Sequence, residues 1–203
     1  MAATTGEPAG LPWWGRVSSL LAPVLLIGGW TLAASLQPGG FDSVVRTISE
    51  LAALDASERW VMTVAIGGTG VCHVLTATAL RPAASAGRWL LALGGVASVL
   101  VALFPLPAGG GTSQAHSVVA FFAFVLLTVW APVAGRPGAD VPWGLRRRVA
   151  LGAGIALGVL TLAFFVAVLA GWSSVGLLER LAAGGQALWP ALVVASAPRR
   201  GDR

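Results

Sequence analysis

Six long apolar runs, almost free of charged residues, are the feature of this sequence that most constrains its fold. Each run is long enough to cross the roughly 30 Å hydrocarbon core of a bilayer as a helix that rises about 1.5 Å per residue. Runs this long and this apolar are typical of membrane-spanning helices. The predicted spans are residues 18–36, 60–80, 89–106, 116–133, 149–171 and 175–197.

The backbone of these runs must satisfy its own hydrogen bonds inside a bilayer, which allows helices or a closed β-barrel. The runs are continuous rather than alternating, so a barrel is excluded. We therefore predict an all-α fold, a six-helix transmembrane bundle. Residues 18–197 would form a single transmembrane domain, with residues 1–17 and 198–203 as cytoplasmic tails.

Composition excludes a soluble domain and argues against nucleic-acid binding. Of the 203 residues, 56% are hydrophobic and 10% are charged, whereas a soluble domain carries about a quarter charged residues. The net charge of +5 comes from arginines in short loops rather than on one basic face. We expect them to set topology and to contact lipid headgroups, so the expected partners are membrane lipids and not nucleic acid.

The arginines are distributed unequally between the two sides of the predicted bundle. One side carries only Arg46, Arg59 and Arg180. By the positive-inside rule, this distribution predicts a multi-pass protein of the cell membrane with both termini in the cytoplasm. The richer side carries Arg16, Arg81, Arg88, Arg136, Arg146, Arg147, Arg148, Arg199, Arg200 and Arg203.

The first span could alternatively be a signal peptide, because Arg16 precedes an apolar stretch. Trp30 near its outer end and the lack of a clear small-x-small cleavage box favour an uncleaved helix. The abundance of Ala, Gly, Val and Arg without lysine indicates a bacterial source.

The outer loop at residues 38–60 has a pattern of its own. Its apolar residues recur at helical spacing, which predicts a short amphipathic helix lying on the outer surface or tucked over the mouth of the bundle. Arg46 and Glu50 are four residues apart and could form an ion pair, with Ser49 beside them. The apolar positions are Val44, Val45, Ile48, Leu51 and Ala52.

His73 lies near the middle of the second span. With Thr69, Cys72 and Thr76 it forms one polar stripe at helical spacing. An ionisable residue at this depth faces the bundle interior or a wet cavity, which makes His73 a functional candidate. The alternative is a neutral histidine that hydrogen-bonds a neighbouring helix.

Four further polar residues fall at the outer face in the predicted topology: Glu50, His116, Glu179 and Arg180. A histidine at a surface can act as a general acid or base near neutral pH. Two carboxylates, a histidine and an arginine form a polar constellation that could serve acid–base chemistry. Paired Cys/His spacings for a structural zinc site are absent, and no cofactor motif is present, so neither metal nor cofactor is expected.

Short motifs carry a family resemblance along residues 15–195. They are Ile48-Ser49-Glu50-Leu51, Phe104-Pro105, His116 and Glu179-Arg180. In their order and spacing the chain resembles the bacterial membrane-protein family known as domain of unknown function 998. An acidic residue is expected soon after Phe-Pro, whereas Leu106, Pro107 and glycines follow here. An activity that depends on that acid would be lost or altered in this chain.

More distantly, the six-span layout resembles eukaryotic membrane proteins implicated in lipid remodelling and autophagy, and small integral-membrane terpene cyclases. We expect a membrane-embedded enzyme that acts on a lipid-like or isoprenoid substrate, in its sharpest version an acid-initiated terpene cyclase. The expected catalytic residues are Glu50, His116 and Glu179. The expected substrate-binding residues are Arg180, Arg46, His73 and Ser49.

Two other functions fit the same sequence. The first is a non-catalytic lipid-binding or accessory membrane subunit, in which the outer polar residues only hold the loop over the bundle. The second is a small proton-coupled transporter with His73 on its pathway. Cavity geometry separates the three: an enzyme needs a shared, partly apolar cavity at the acid–base residues, and a transporter needs a polar track through His73. The sequence leaves the oligomeric state open.

Overall fold

The computed structural model describes residues 10–138 and 140–197, and this part of the chain is helical apart from loops and turns. Two short 3-10 helices, Ser49–Ala52 and Trp143–Leu145, lie in the connections. The predicted tails, with the arginines beyond residue 197, fall largely outside the described residues. The six long helices are α1 (Trp13–Ser35), α2 (Trp60–Ala79), α3 (Ser85–Leu103), α4 (Gln114–Ala134), α5 (Arg147–Ala170) and α6 (Val175–Ala195).

The predicted all-α membrane bundle is confirmed. Within the described residues, α1 to α5 are long and apolar enough to cross a membrane. The sixth helix is as long as the others but contains Glu179, Arg180 and Gln186, which lower its hydropathy. The cellular membrane and the orientation of the termini stay predictions.

The ends of the helices follow local backbone rules. The first helix begins at Trp13, earlier than the predicted span, directly after the extended Pro12. The third helix ends at Leu103 because Phe104 precedes Pro105, and a residue before proline is disfavoured in the helical region. Ser113 then caps α4 by accepting a hydrogen bond from a backbone N–H of its first turn.

The six helices pack as a closed ring. Each helix contacts the next along the chain, and α6 returns to pack against α1. Ser18 of α1 and Thr76 of α2 share a buried hydrogen bond of 2.9 Å. The ring leaves an interior that side chains from several helices can reach.

Burial is inverted relative to a water-soluble protein. Large apolar side chains face outward, including Leu169 at 88% exposure. Ten polar or charged residues of the described chain are buried in the ring, among them His73, Glu179 and Gln186. This distribution suits a bilayer, where the surroundings are apolar and polar groups must find partners inside.

The outer loop is tucked over the mouth of the ring, one of the two predicted arrangements. Its helical part is shorter than the apolar spacing indicated, being limited to the 3-10 helix Ser49–Ala52. Leu51 and Ile48 are buried against the ring, whereas Val44 and Val45 stay exposed. The second half of the loop therefore supplies the buried side chains, while the first half packs Phe41 against the same cluster.

Helices α2 and α3 approach most closely where two glycines face each other. A Cβ added to Gly95 would lie 2.5 Å from the carbonyl oxygen of Gly70, and one added to Gly70 would lie 2.5 Å from the carbonyl oxygen of Gly95. The same added Cβ on Gly95 would approach the Cβ of His73 at 3.0 Å. Small residues at such crossings let helix backbones pack tightly in membranes.

We expect Gly95→Ala to lower the free energy of unfolding by about 1–3 kcal/mol, because the new methyl group forces two backbones apart. Unfolding of the purified protein by SDS titration from mild detergent measures this loss. The matched control is Gly152→Ala in α5, where an added Cβ meets open space. The control should change stability by about 1 kcal/mol or less, since alanine favours helix. Equal losses in both variants would contradict the close crossing.

Candidate functional site

A groove of about 710 Å³ opens at the loop end of the ring, between the outer loop, the α3–α4 connection and helices α4, α5 and α6. Five of the seven residues proposed from the sequence line this groove. The other two, His73 and Arg180, do not line it. The five groove residues are Arg46, Ser49, Glu50, His116 and Glu179.

His116 is held in one orientation at the start of α4. Its backbone N–H donates to the capping Ser113 hydroxyl at 3.2 Å, and its ring Nδ1 lies 2.8 Å from the Phe104 carbonyl oxygen. That carbonyl is free to accept because α3 has ended and Pro105 follows. Since a carbonyl only accepts, Nδ1 carries the proton in the neutral ring and Nε2 is left as the acceptor. This is the arrangement that a general base requires.

Glu50 is engaged by its own loop. Its Oε1 accepts hydrogen bonds from the backbone N–H and the hydroxyl of Thr47, at 2.9 and 3.1 Å, and the Thr47 hydroxyl accepts from the Glu50 N–H in return. This reciprocal pattern is a capping box for the outer 3-10 helix. Its Oε2 pairs with Arg46 Nε at 2.8 Å. The Arg46 guanidinium also lies over the Phe41 ring, 4.4 Å from its centroid.

Glu179 joins α6 to the outer loop. Its side chain is only 4% exposed, and its Oε2 accepts a short hydrogen bond from the Ile48 N–H. Its Oε1 accepts from the Ser49 hydroxyl at 3.3 Å. Burying a carboxylate is costly unless it is hydrogen-bonded, and these two donors offset part of that cost. Glu179 therefore fixes the loop and lines the groove at once.

Arg180 fastens the same loop from the other side. Its Nη1 donates to the carbonyl oxygens of Ser43 at 2.9 Å, Arg46 at 2.8 Å and Gly176 at 2.9 Å. Gly176 must be small because the Arg46 carbonyl packs directly against its Cα. Arg180 Nη1 therefore ties the loop to α6, while Nε and Nη2 of the same guanidinium are buried without a hydrogen-bond partner among the described residues.

An inner cavity of about 80 Å³ lies below the groove, inside the ring. His73 lines it and is 1% exposed, and neither ring nitrogen has a hydrogen-bond partner within the described chain. The predicted polar stripe is buried as a whole, but its members diverge: Thr76 bonds Ser18, and Thr69 donates to the Ala22 and Ala65 carbonyls.

Sequence reasoning missed an aromatic wall along the groove. Phe121 and Phe124 of α4 meet Phe164 and Phe165 of α5, with ring centroids 4.9 Å apart for Phe124 and Phe164 and 5.5 Å apart for Phe121 and Phe165. The spacing of Phe121 and Phe124 places them on one helix face, but the partner helix was not readable from that pattern.

Sequence reasoning also missed Gln186, which lies deep in α6. Its Nε2 donates to the Phe124 carbonyl at 2.9 Å, and to the hydroxyls of Thr128 and Thr161 at 3.0 and 3.1 Å. The rule that singled out His73 was limited to ionisable residues; a rule that included every polar side chain in the middle of a span would have found Gln186. Within the described ranges, no three His, Cys, Asp or Glu residues come together as a metal site.

Comparison with known proteins places residues 20–196 in a single family model, described as "Protein of unknown function (DUF998)". The match covers most of the chain and all four motifs on which the sequence resemblance rests. No curated protein and no solved structure matches the chain.

We expect Glu179→Gln to loosen the outer loop. The amide oxygen can still accept from the Ile48 N–H and the NH₂ group can donate to the Ser49 hydroxyl, but both hydrogen bonds then lose their charged partner, at a cost of about 1 kcal/mol. Hydrogen–deuterium exchange should accelerate across residues 43–52.

The matched control for this experiment is Glu58→Gln, an exposed carboxylate in the same connection between α1 and α2. Exchange in residues 43–52 should be unchanged in the control. Protection equal to wild type in Glu179→Gln would show that this carboxylate does not hold the loop.

Proposed function

The chain belongs to the DUF998 family of proteins of unknown function, and from its outer groove we propose that it is a membrane-embedded enzyme acting on a lipid-like substrate. The observation that carries the proposal is the meeting, in one groove, of an oriented histidine with a free acceptor nitrogen and an aromatic wall. The polar end of the substrate lies at the outer loop, and its hydrocarbon or isoprenoid part lies against α4 and α5.

The apolar side of the groove supports a lipid-like ligand. The four phenylalanines continue into Val168 and Leu169 of α5, which also line the groove. Leu169 is 88% exposed on the outside of the ring. The wall is therefore continuous with the surface that faces the bilayer, so a chain can enter sideways without crossing water.

The polar side of the groove supports recognition of an anionic or hydrogen-bonding headgroup. Arg46 uses Nε for Glu50, and its two terminal nitrogens make no hydrogen bond to the described residues. A guanidinium placed this way is suited to phosphate or carboxylate oxygens. This assigns to Arg46 the anchoring role that the sequence divided between Arg46 and Arg180.

The acid–base chemistry is assigned to His116. The Phe104 carbonyl fixes its tautomer, so Nε2 can take a proton from a hydroxyl or a water at the polar end of the substrate. Both carboxylate oxygens of Glu50 are already engaged, one by Thr47 and one by Arg46. Of the two carboxylates that the sequence proposed, Glu179 is the candidate for the terpene-cyclase version, and its two loop donors argue for a structural role beside any chemical one.

A second candidate is a non-catalytic lipid-binding subunit. The specific observation in its favour is that Glu50, Glu179 and Arg180 all bond to the outer loop. In this version the groove holds a lipid and His116 only ties α4 to the end of α3. Binding and turnover therefore have to be measured separately.

We expect wild-type protein purified in mild detergent to retain one lipid class selectively, as identified by mass spectrometry. Arg46→Leu should reduce its retention about tenfold or more, because a hydrogen bond to a charged group is lost. The control Arg59→Leu removes an equal charge from the same connection, at a residue that lines neither cavity, and should retain the lipid. Identical bulk lipid in all preparations would contradict binding in the groove.

We expect His116→Asn to bind the retained lipid but to convert it about 10²–10⁴-fold more slowly, the usual range for loss of a general base. Asparagine places an amide N–H near the former Nδ1 and can keep the bond to Phe104. Conversion is followed by mass spectrometry after reconstitution with the identified lipid. Selective retention without any conversion by wild type would favour the non-catalytic subunit.

A further inference from the structure

The inner cavity is built by almost the whole ring. Side chains of α1, α2, α3, α4 and α6 line it, and Ile48 and Ser49 of the outer loop cover it. A cavity needs roughly 10–15 Å³ of this kind of volume to hold one water. At about 80 Å³ the cavity has room for a small molecule or for the end of a longer one.

His73 gives this cavity an unmet hydrogen-bonding demand. Both Nδ1 and Nε2 are buried without a partner in the described part of the chain. A neutral imidazole has one N–H donor and one acceptor nitrogen. Buried polar groups are nearly always hydrogen-bonded, so an orphaned donor and acceptor on one ring call for a partner that the chain does not supply.

Gln186 adds an acceptor to the same cavity. Its NH₂ group is used by the Phe124 carbonyl and by the hydroxyls of Thr128 and Thr161, which fixes the direction of the amide. Its Oε1 accepts no hydrogen bond from any described residue. His73 and Gln186 thus offer one unused donor and two unused acceptors, while the Glu179 carboxyl group, which also lines the cavity, already accepts from Ile48 and Ser49.

The rest of the lining is mostly apolar, with Leu26, Ile66, Val101 and Leu127 among its residues. A cluster of waters would satisfy the polar groups but would leave these apolar side chains in contact with water, which is unfavourable. A charged ligand would meet a largely apolar wall at high cost. An ether or ketone oxygen could accept from His73 but could donate to neither acceptor.

We propose that the inner cavity is a binding site for the hydroxyl group of an uncharged alcohol. The hydroxyl oxygen accepts from the His73 N–H, its one proton is donated to Gln186 Oε1, and the attached carbons contact the apolar lining. Ser49, Ala120, Phe124 and Glu179 line both this cavity and the outer groove, so the alcohol enters through the groove. The site does not depend on catalysis at His116.

The chain contains only two histidines, which makes a direct test possible. Protein labelled with ¹⁵N-histidine and held in detergent gives ring ¹⁵N resonances for His73 and His116 alone, assigned with His116→Asn. It is titrated with n-butanol against its isomer methyl propyl ether, and with n-dodecanol against its isomer methyl undecyl ether. The short pair represents a free small alcohol and the long pair a lipid chain.

We expect an alcohol to shift the His73 resonances saturably, with an apparent Kd about tenfold below that of its isomeric ether, the value of one hydrogen bond. A shift with n-butanol would identify a free small alcohol as the ligand, and a shift with n-dodecanol would identify a hydroxyl on a lipid chain. Ala123→Leu, which fills the cavity without removing a polar group, should abolish the shift while His116 keeps its wild-type position.

Two results would overturn the site. One is a His73 spectrum that neither alcohol changes, and the other is an equal response to alcohol and ether. A shift at His116 alone would leave a ligand in the groove and exclude the alcohol from the inner cavity. A shift at His73 alone would keep the inner site while removing support for a ligand beside His116.

Discussion

The attachment of the outer loop to the start of α6 is the interaction on which the site depends. Glu179 accepts hydrogen bonds from the Ile48 N–H and the Ser49 hydroxyl, and Arg180 donates to backbone carbonyls of the same loop. Adjacent residues on a helix point about 100° apart, so one turn of α6 grips the loop at two places. The attached loop covers the inner cavity and lines one side of the outer groove.

The short motifs that carry the family resemblance are contact partners in space. Ile48 and Ser49 meet Glu179, and the Phe104 carbonyl meets the ring of His116. The first contact joins segments 131 residues apart and the second joins the two ends of the α3–α4 connection, both at the outer end of the ring. The motif residues therefore hold together the open end of the bundle. Their contacts fix the geometry of the groove in which any chemistry would occur.

The two cavities divide the polar residues into two environments. In the outer groove, Arg46 and His116 stand beside an aromatic wall that continues to the lipid-facing surface. In the inner cavity, His73 is fully enclosed and unpartnered. A bilayer protein tolerates polar groups at depth only where partners or a cavity receive them. His116 is held by the Phe104 carbonyl, whereas neither ring nitrogen of His73 has a partner among the described residues, and this contrast is the reason for assigning the two histidines different roles.

The sequence alone determined the helices, because the hydropathy of a segment can be read without knowing its neighbours. A continuous apolar segment in a bilayer must then pair its own backbone groups, which makes it a helix. It also found the polar residues at the mouth, since few others interrupt so apolar a chain. Only the tertiary structure decided that α6 closes a ring on α1, that Arg180 Nη1 donates to three backbone carbonyls, and that His73 lacks a partner among the described residues. The aromatic wall of α4 and α5 and the position of Gln186 were likewise decided by packing. Helix rotation and loop docking depend on contacts between distant segments, and no local pattern records those.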